Sequence, residues 1–464
     1  MRFFGNQFEG AGTYIVQGKK ELNFYELCKL NDKFALNEDS LSFFLVNGLI
    51  PFPYSPFKEV SALGVGDELQ NNTHHINFPY FNNLSSNQTK PTFEKYLRLL
   101  SQSIQKKVKD KKAVLMLSSG KDSVALALAA SKIDSTNITC VTYASENFKD
   151  DESFFASNLC KELGLTHKTI RLSNVNSDQS DLLNSFFQSS IFPISDPAAI
   201  PYILCLNEVK KELDFEIVLD GMGNDIYMGH VPSKNDIYKN IFNTISPYFQ
   251  KARILIGHES KLNFFFNTRS ENTFPGRLFS QLEINKFLDN SFNVRNFWVE
   301  QDKKYKNLDN FDFRSIIRGR NYDQNVGMMK GHLSSALFNA ECFFPFCSKS
   351  VSLEYFNMQQ NHRFNKSDLK NKVFLRKLLS HYINYPDLEI GKKIFGFEGE
   401  KFIQNNKDYI IDNIRACNMW NHNGVNQVIE RIYKNNNSNN YYWCALYNLF
   451  MLSGWLNHSK YIQK

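Results

Sequence analysis

Short apolar runs alternate with segments of helical spacing through the middle of this chain. Ala113–Leu117 is continuous and apolar, the pattern of a strand covered on both faces of a parallel sheet. Val124 to Lys132, rich in alanine and leucine, reads as the helix that follows it. Ile138 to Tyr143 then reads as strand, Glu152 to Leu163 as helix and Lys168 to Leu172 as strand, with another buried strand at Phe215–Leu219. That helix carries Phe155, Leu159 and Leu163 on one face, is entered through Asp150 and Asp151, and is closed by Gly164. Repeated strand and helix units predict an α/β fold, a parallel sheet with helices on both faces.

Two turns in this pattern carry chemistry. Ser118-Ser119-Gly120-Lys121-Asp122-Ser123 joins the first strand to its helix. A helix start has N–H groups without intrahelical acceptors and a partial positive charge, so an anion is stabilised there, and small residues let the backbone approach it. The G-x-x-x-x-G-K-S/T phosphate loop is absent, and Lys121 is followed by Asp. About a hundred residues on, Phe215–Leu219 runs into Asp220-Gly221-Met222-Gly223-Asn224-Asp225. Glycines at alternate positions permit close approach to a ligand, and Asp225 just beyond them can reach a hard cation through oxygen. Each turn alone is also what an ordinary strand-to-helix connection looks like, with Asp122 or Ser123 as a cap. Their order and separation make the pair informative.

The first turn resembles the S-G-G-x-D-S loop of the ATP pyrophosphatases, with Ser119 where the first glycine usually stands, and the second resembles the G-x-G-x-D-E turn of asparagine synthetases, β-lactam synthetases and lasso-peptide cyclases. The likeness continues through Leu163-Gly164-Leu165-Thr166-His167, Glu341–Ser348, Lys372–Arg376, Lys392–Phe397 and Leu446–Asn457, spanning roughly residues 95 to 460. It implies an adenine nucleotide α-hydrolase-like fold and a ligase that cleaves ATP to AMP and pyrophosphate while joining a carboxylate to an amine or ammonia. In that family pattern Ser118, Ser119 and Ser123 donate to the β and γ phosphates, with Gly120, Gly221 and Gly223 allowing close approach. Lys121 neutralises charge, Asp122 and Asp225 hold magnesium, Thr142 and Tyr143 neighbour adenine through their backbone, and Lys372 meets the α phosphate. ATP and magnesium are thus the implied cofactors.

The departures bear on the reaction. Met222 stands where asparagine synthetases carry Glu and β-lactam synthetases Tyr, and a thioether cannot take a proton. Either the nucleophile arrives as a free amine, or another group such as Glu341 is the base, or amide formation is not the reaction. Ile226 replaces the family's common Glu, Phe343 an arginine and Ser348 an aspartate. Residues 1–92 resemble a shortened, non-hydrolysing remnant of a glutaminase-like domain, mostly strand, ahead of a synthetase domain at 93–464. The family's amidase thiol follows the initiator Met, whereas here Met1 precedes Arg2 and the first cysteine is Cys28. The nitrogen would be ammonia, come from a separate amidotransferase or belong to the substrate. A sugar amidotransferase of surface glycans, a peptide-cyclising ligase with a precursor-peptide partner, and a degenerate nucleotide-binding module are the alternatives.

Composition changes this picture little. With 464 residues and 42% hydrophobic content the chain supports a large core and a smaller attachment. The reading has no signal peptide or membrane helix, hence a cytoplasmic enzyme with no membrane partner. Fifty-four basic against 47 acidic residues give +7, too mild to require nucleic acid, and Lys106–Lys112 reads as a solvated helix face. The eight cysteines lack metal or disulfide spacing and read as buried thiols. Gln70 to Gln88 and Asn435 to Asn440 read as linker and loop.

Overall fold

The computed structural model describes residues 2–5, 12–30, 32–71, 73–76, 91–144, 152–171, 179–232, 267–274, 279–288, 291–356, 358–385, 399–434 and 440–463. Asp150, Asp151, Leu172, the Lys392–Phe397 segment and most of both polar stretches lie outside them.

The N-terminal strands are β1 (Arg2–Phe4), β2 (Thr13–Val16), β3 (Lys20–Leu22), β4 (Val60–Leu63), β5 (Asp67–Gln70) and β6 (Thr73–Ile76). They form two antiparallel sheets, ordered β3-β2-β4 and β1-β5-β6, joined through the turn at Gly64-Val65-Gly66. The strand β6 replaces what the polar sequence after Gln70 suggested was linker. Phe43–Asn47 is also not strand but the end of a helix, Glu38–Asn47, buried from Ser40 onward. A helix buried all round has no polar face, so its apolar run shows no period of 3.6.

The main sheet contains β7 (Ala113–Met116), β8 (Ile138–Ala144), β9 (Thr166–Arg171), β10 (Ile217–Leu219) and β11 (Glu341–Phe343). All its pairings are parallel, in the order β11-β10-β7-β8-β9. Successive residues of β7 and of β10 are buried, so helices cover both faces. The helix after β7 spans Lys121–Ala130, and Ser153–Leu163 ends at Gly164 with φ +68°, the left-handed cap the sequence indicated.

The strand order positions the site. From β7 the chain steps outward through β8 and β9, then returns to lay β10 on the opposite side of β7. Connections therefore leave β7 and β10 in opposite directions, opening a crevice at their carboxyl ends. Leu115 pairs with Leu219, so the turns at Ser118 and Gly221 emerge side by side.

One hydrophobic core runs through both parts of the chain, from Tyr14 to Ile462. A π-helical stretch, Gly319–Met328, lies between the helices Asn310–Arg318 and Met329–Leu337. Its wide turn carries buried polar groups toward the N-terminal sheets. Arg320 Nε donates to the Val65 carbonyl at 3.0 Å, its guanidinium pairs with Asp67, and Gln324 Oε1 accepts from the Val65 N–H at 3.0 Å. Among the described residues no helix is long and apolar enough to cross a membrane.

Candidate active site

The turn after β7 is braced by its own serines. Ser118 and Ser123 hydroxyls bond each other at 2.9 Å, Ser118 N–H donates to Ser123 Oγ at 3.1 Å, and Gly120 N–H donates to Ser118 Oγ at 3.1 Å. Ser119 donates its N–H and hydroxyl to the Glu152 carboxylate at 3.1 and 2.5 Å, while its carbonyl accepts from Tyr385 OH at 2.8 Å. The serine hydroxyls thus shape the loop. What they frame is the first turn of Lys121–Ala130, whose N–H groups have no intrahelical acceptors.

The second turn presses directly on the first. A Cβ on Gly221 would stand 2.9 Å from Ser123 N and 3.1 Å from Asp122 Cβ, so only glycine lets the two backbones meet. Gly223 has φ +85° and caps the short helix Asn224–Met228, placing Asp225 in its first turn. Asp220 anchors the turn by accepting from Met222 N–H at 2.9 Å and from Tyr202 OH at 2.8 Å.

Lys372 joins the two turns. Its Nζ lies 2.5 Å from Asp122 Oδ2 and 2.9 Å from Asp225 Oδ1, although those residues are 250 and 147 positions away from it in sequence. A hairpin, Phe364–Asn365 against Lys370–Asn371, delivers it, and Lys372 itself takes φ +57° before the helix Val373–Tyr382. Left-handed backbone at a lysine is disfavoured, so the hairpin and helix around it must hold that conformation in place. Burial works to discharge this ammonium, but the two carboxylates outweigh it and hold Lys372 well above the ordinary lysine range.

Asp122 is oriented from behind. Asn224 Nδ2 donates to Asp122 Oδ1 at 2.6 Å, Tyr355 OH donates to Asn224 Oδ1 at 2.6 Å, and Tyr96 bonds the Tyr355 hydroxyl. Asn371 Nδ2 lies 3.4 Å from Asp225 Oδ1. The sequence reading missed this relay because Tyr96 and Tyr355 look like core aromatics in their own segments. Glu152 was visible only as a helix entrance. Two carboxylates already converging on one cation are the oxygen donors a magnesium ion takes, so the residues present fit that metal.

The remaining candidates divide. The ladder from β7 to β8 ends at Val141, so Thr142 and Tyr143 run past the tip of β7 while still pairing with Thr169 and Ile170. The Thr142 side chain faces His167, Oγ1 to Nε2 at 3.0 Å, and burial holds that imidazole below its usual range. Glu341 is not brought to the cluster: it opens β11, opposite Ile217, at the far end of the sheet from the turns, and pairs with Lys107. A parallel strand sends its first and last residues to opposite edges, so Glu341 cannot share the crevice. Met222 packs over the π-helical stretch, where a Cβ on Gly327 would meet its Cε at 2.2 Å. All eight cysteines are free thiols; Cys342 and Cys347 are buried as the sequence suggested, but Cys28 is only half-buried and Cys444 is exposed.

A family model described as asparagine synthase matches residues 95–398. No curated protein matches the chain. Among the similar solved structures, two cover half of this chain. An NH3-dependent NAD synthetase from Campylobacter jejuni subsp. jejuni NCTC 11168 shares 17% identity, with 50% of this chain and 93% of that chain covered and a TM-score of 0.23. The U34-tRNA thiolase NcsA from Methanococcus maripaludis shares 15% identity, with 50% and 79% covered and a TM-score of 0.24.

Proposed function

The chain belongs to the asparagine synthase family, and we propose that within it this protein is an AMP- and pyrophosphate-forming amide ligase. The reading rests on one observation: Lys372 holds Asp122 and Asp225 on a single cation between the two turns. A triphosphate lying there would meet the helix N-terminus, the two carboxylates and a buried ammonium. Magnesium bound by Asp122 and Asp225 would supply charge neutralisation for the phosphates.

In this scheme a substrate carboxylate oxygen attacks the α phosphorus, the bond to the bridging oxygen breaks, and pyrophosphate leaves. An amine or ammonia nitrogen then attacks the acyl carbon of the adenylate and AMP departs. Lys372, kept charged, stabilises the negative charge that develops on the α phosphate and the acyl oxygen. Adenine would lie along the free end of β8 at Thr142 and Tyr143. With Met222 unable to accept a proton and Glu341 elsewhere, the nitrogen arrives as a neutral amine or ammonia, and the proton it sheds on forming the amide leaves through a substrate group or solvent.

The N-terminal part carries out no glutamine hydrolysis in this proposal. Burial pushes the thiol of Cys28, its only cysteine, up to about 12, which keeps it protonated at neutral pH. Isotope exchange between labelled pyrophosphate and ATP, run with pooled carboxylic acids, tests the reading. Exchange that requires one class of acid is expected. No exchange with any acid, together with no calorimetric binding of Mg–ATP, would leave only a degenerate module.

A further inference from the structure

Asp122 gives its two oxygens to different partners. Oδ2 meets the Lys372 ammonium that also reaches Asp225, whereas Oδ1 accepts from Asn224 Nδ2 at 2.6 Å. Asn224 is buried and sits in the first turn of its short helix, directly before Asp225. One residue thus touches the first carboxylate and precedes the second in the chain.

The direction of this contact is fixed by its surroundings. A carboxylate accepts and does not donate, so the amide presents its nitrogen to Asp122 and its oxygen to Tyr355, whose hydroxyl donates to Asn224 Oδ1 at 2.6 Å. With its proton used there, the Tyr355 oxygen accepts from Tyr96. Both rings are wedged in place. Tyr355 stacks on Tyr227, with centroids 5.8 Å apart and planes inclined by 15°, and Tyr96 meets Phe374 edge-on at 5.3 Å. Tyr227 belongs to the same short helix as Asn224, and Phe374 lies in the first turn of the helix that Lys372 opens. Asn224, Tyr355 and Tyr96 are all buried, so solvent does not compete for the amide.

An amide held this way limits how Asp122 can meet a divalent cation. Its N–H carries partial positive charge against Oδ1, so an ion gripping both oxygens would be pressed toward a donor, and an ion on Oδ2 alone would not. Magnesium demands a tight octahedron and takes a carboxylate or two together with phosphates and water, whereas calcium accommodates about six to eight oxygens and grips carboxylates by one oxygen or by both. We infer that Asn224, set by Tyr355 and Tyr96, is a positioning residue that offers a cation only one oxygen of Asp122 and so selects magnesium over calcium beside the triphosphate; the inference rests on the proposed function.

Calorimetric titration with α,β-methylene ATP, once in excess magnesium and once in excess calcium, reads this selectivity as a ratio of two affinities. The wild-type protein is expected to favour magnesium by about tenfold or more. Asn224→Ala removes the donor, and Asn224→Asp puts a further acceptor of the same size in its place. In each the ratio should fall by about fivefold or more, in the Asp variant through tighter binding in calcium. Tyr355→Phe keeps the ring on Tyr227 but releases the amide, and should lower the ratio by roughly two- to threefold. It carries the test where the Asn224 variants disturb folding. A packing defect alone would weaken both titrations alike and leave the ratio unchanged. A wild-type ratio near one, or a ratio that no folded variant alters, would overturn the role of Asn224 and leave the ligase reading standing. A wild-type protein that binds the analogue with neither metal would overturn the ligase reading, and this inference with it.

Discussion

At the scale of single residues the chemistry turns on Lys372. Its ammonium is the counter-charge that lets Asp122 and Asp225 approach each other in a half-buried crevice. Lys372→Ala leaves the two carboxylates facing each other, so the variant should lose roughly 1 to 3 kcal/mol of stability, less than a fully buried pair because both acids keep some solvent. Magnesium should restore more melting temperature to this variant than to wild type, and an equal response in both would discredit the shared cation site. In pyrophosphate exchange, kcat should fall more than KM for ATP rises, the mark of a group serving the transition state. Asp122→Asn and Asp225→Asn should each lower exchange by about a hundredfold or more. Unchanged rates in both would show that the phosphates bind elsewhere.

At the scale of elements, two turns meet because β7 and β10 are neighbours, and Gly221 is where they touch. Gly221→Ala drives a methyl into the backbone of Asp122 and Ser123, which has no flexible end to move aside. It should weaken Mg–ATP binding about tenfold or more by calorimetry while the far-ultraviolet dichroism stays that of wild type. A second element carries a pH dependence. Asp302, on the helix Val294–Lys304, accepts from Ser270 N–H at 2.8 Å and Ser270 Oγ at 2.6 Å, yet burial dominates and pushes its carboxyl up to about 6. The folded value lies above the ordinary 3.8, so this group's contribution is full below about pH 4 and fades as pH rises through 6. Asp302→Asn cannot ionise, and its stability relative to wild type should rise over that window by on the order of 2 kcal/mol. Urea midpoints at pH 4, 5, 6 and 7 would show it, and a constant difference would refute the assignment.

At the scale of the whole molecule the N-terminal part is built into the rest. Arg320, 1% exposed, reaches from the π-helical stretch to Asp67 and Val65, and Asn448 Nδ2 donates to the Phe44 carbonyl at 3.0 Å. Arg320→Ala strands the Asp67 carboxylate in the interior and should cost about 3 to 5 kcal/mol. Both parts share a core, so calorimetry should show one transition moved to lower temperature. A separate early transition would mean that the N-terminal sheets fold by themselves. The basic run behaves as its sequence suggested at this scale: Lys107 pairs with Glu341 and Lys106, Lys109, Lys111 and Lys112 are exposed.

The sequence by itself determined the four strands from β7 to β10 and the helices after β7 and β8, and it singled out Asp122, Asp225 and Lys372, which the fold brings together, while the helices Ser180–Ser189, Ala199–Glu212 and Asn224–Met228 were not read from it. Apolar runs, glycine spacing and helix stops are local signals, because they arise from the torsional and burial preferences of neighbouring residues. Three-residue β11 escaped because it is too short to show an alternation, and the helix Glu38–Asn47 because burial on every side erases the polar phase that reveals a period. Only the tertiary structure decided that Glu341 leaves the site and that Asn224, Tyr355 and Tyr96 stand behind Asp122. Those relations depend on strand order and direction, and a parallel crossover brings together residues whose separation along the chain carries no trace of the contact.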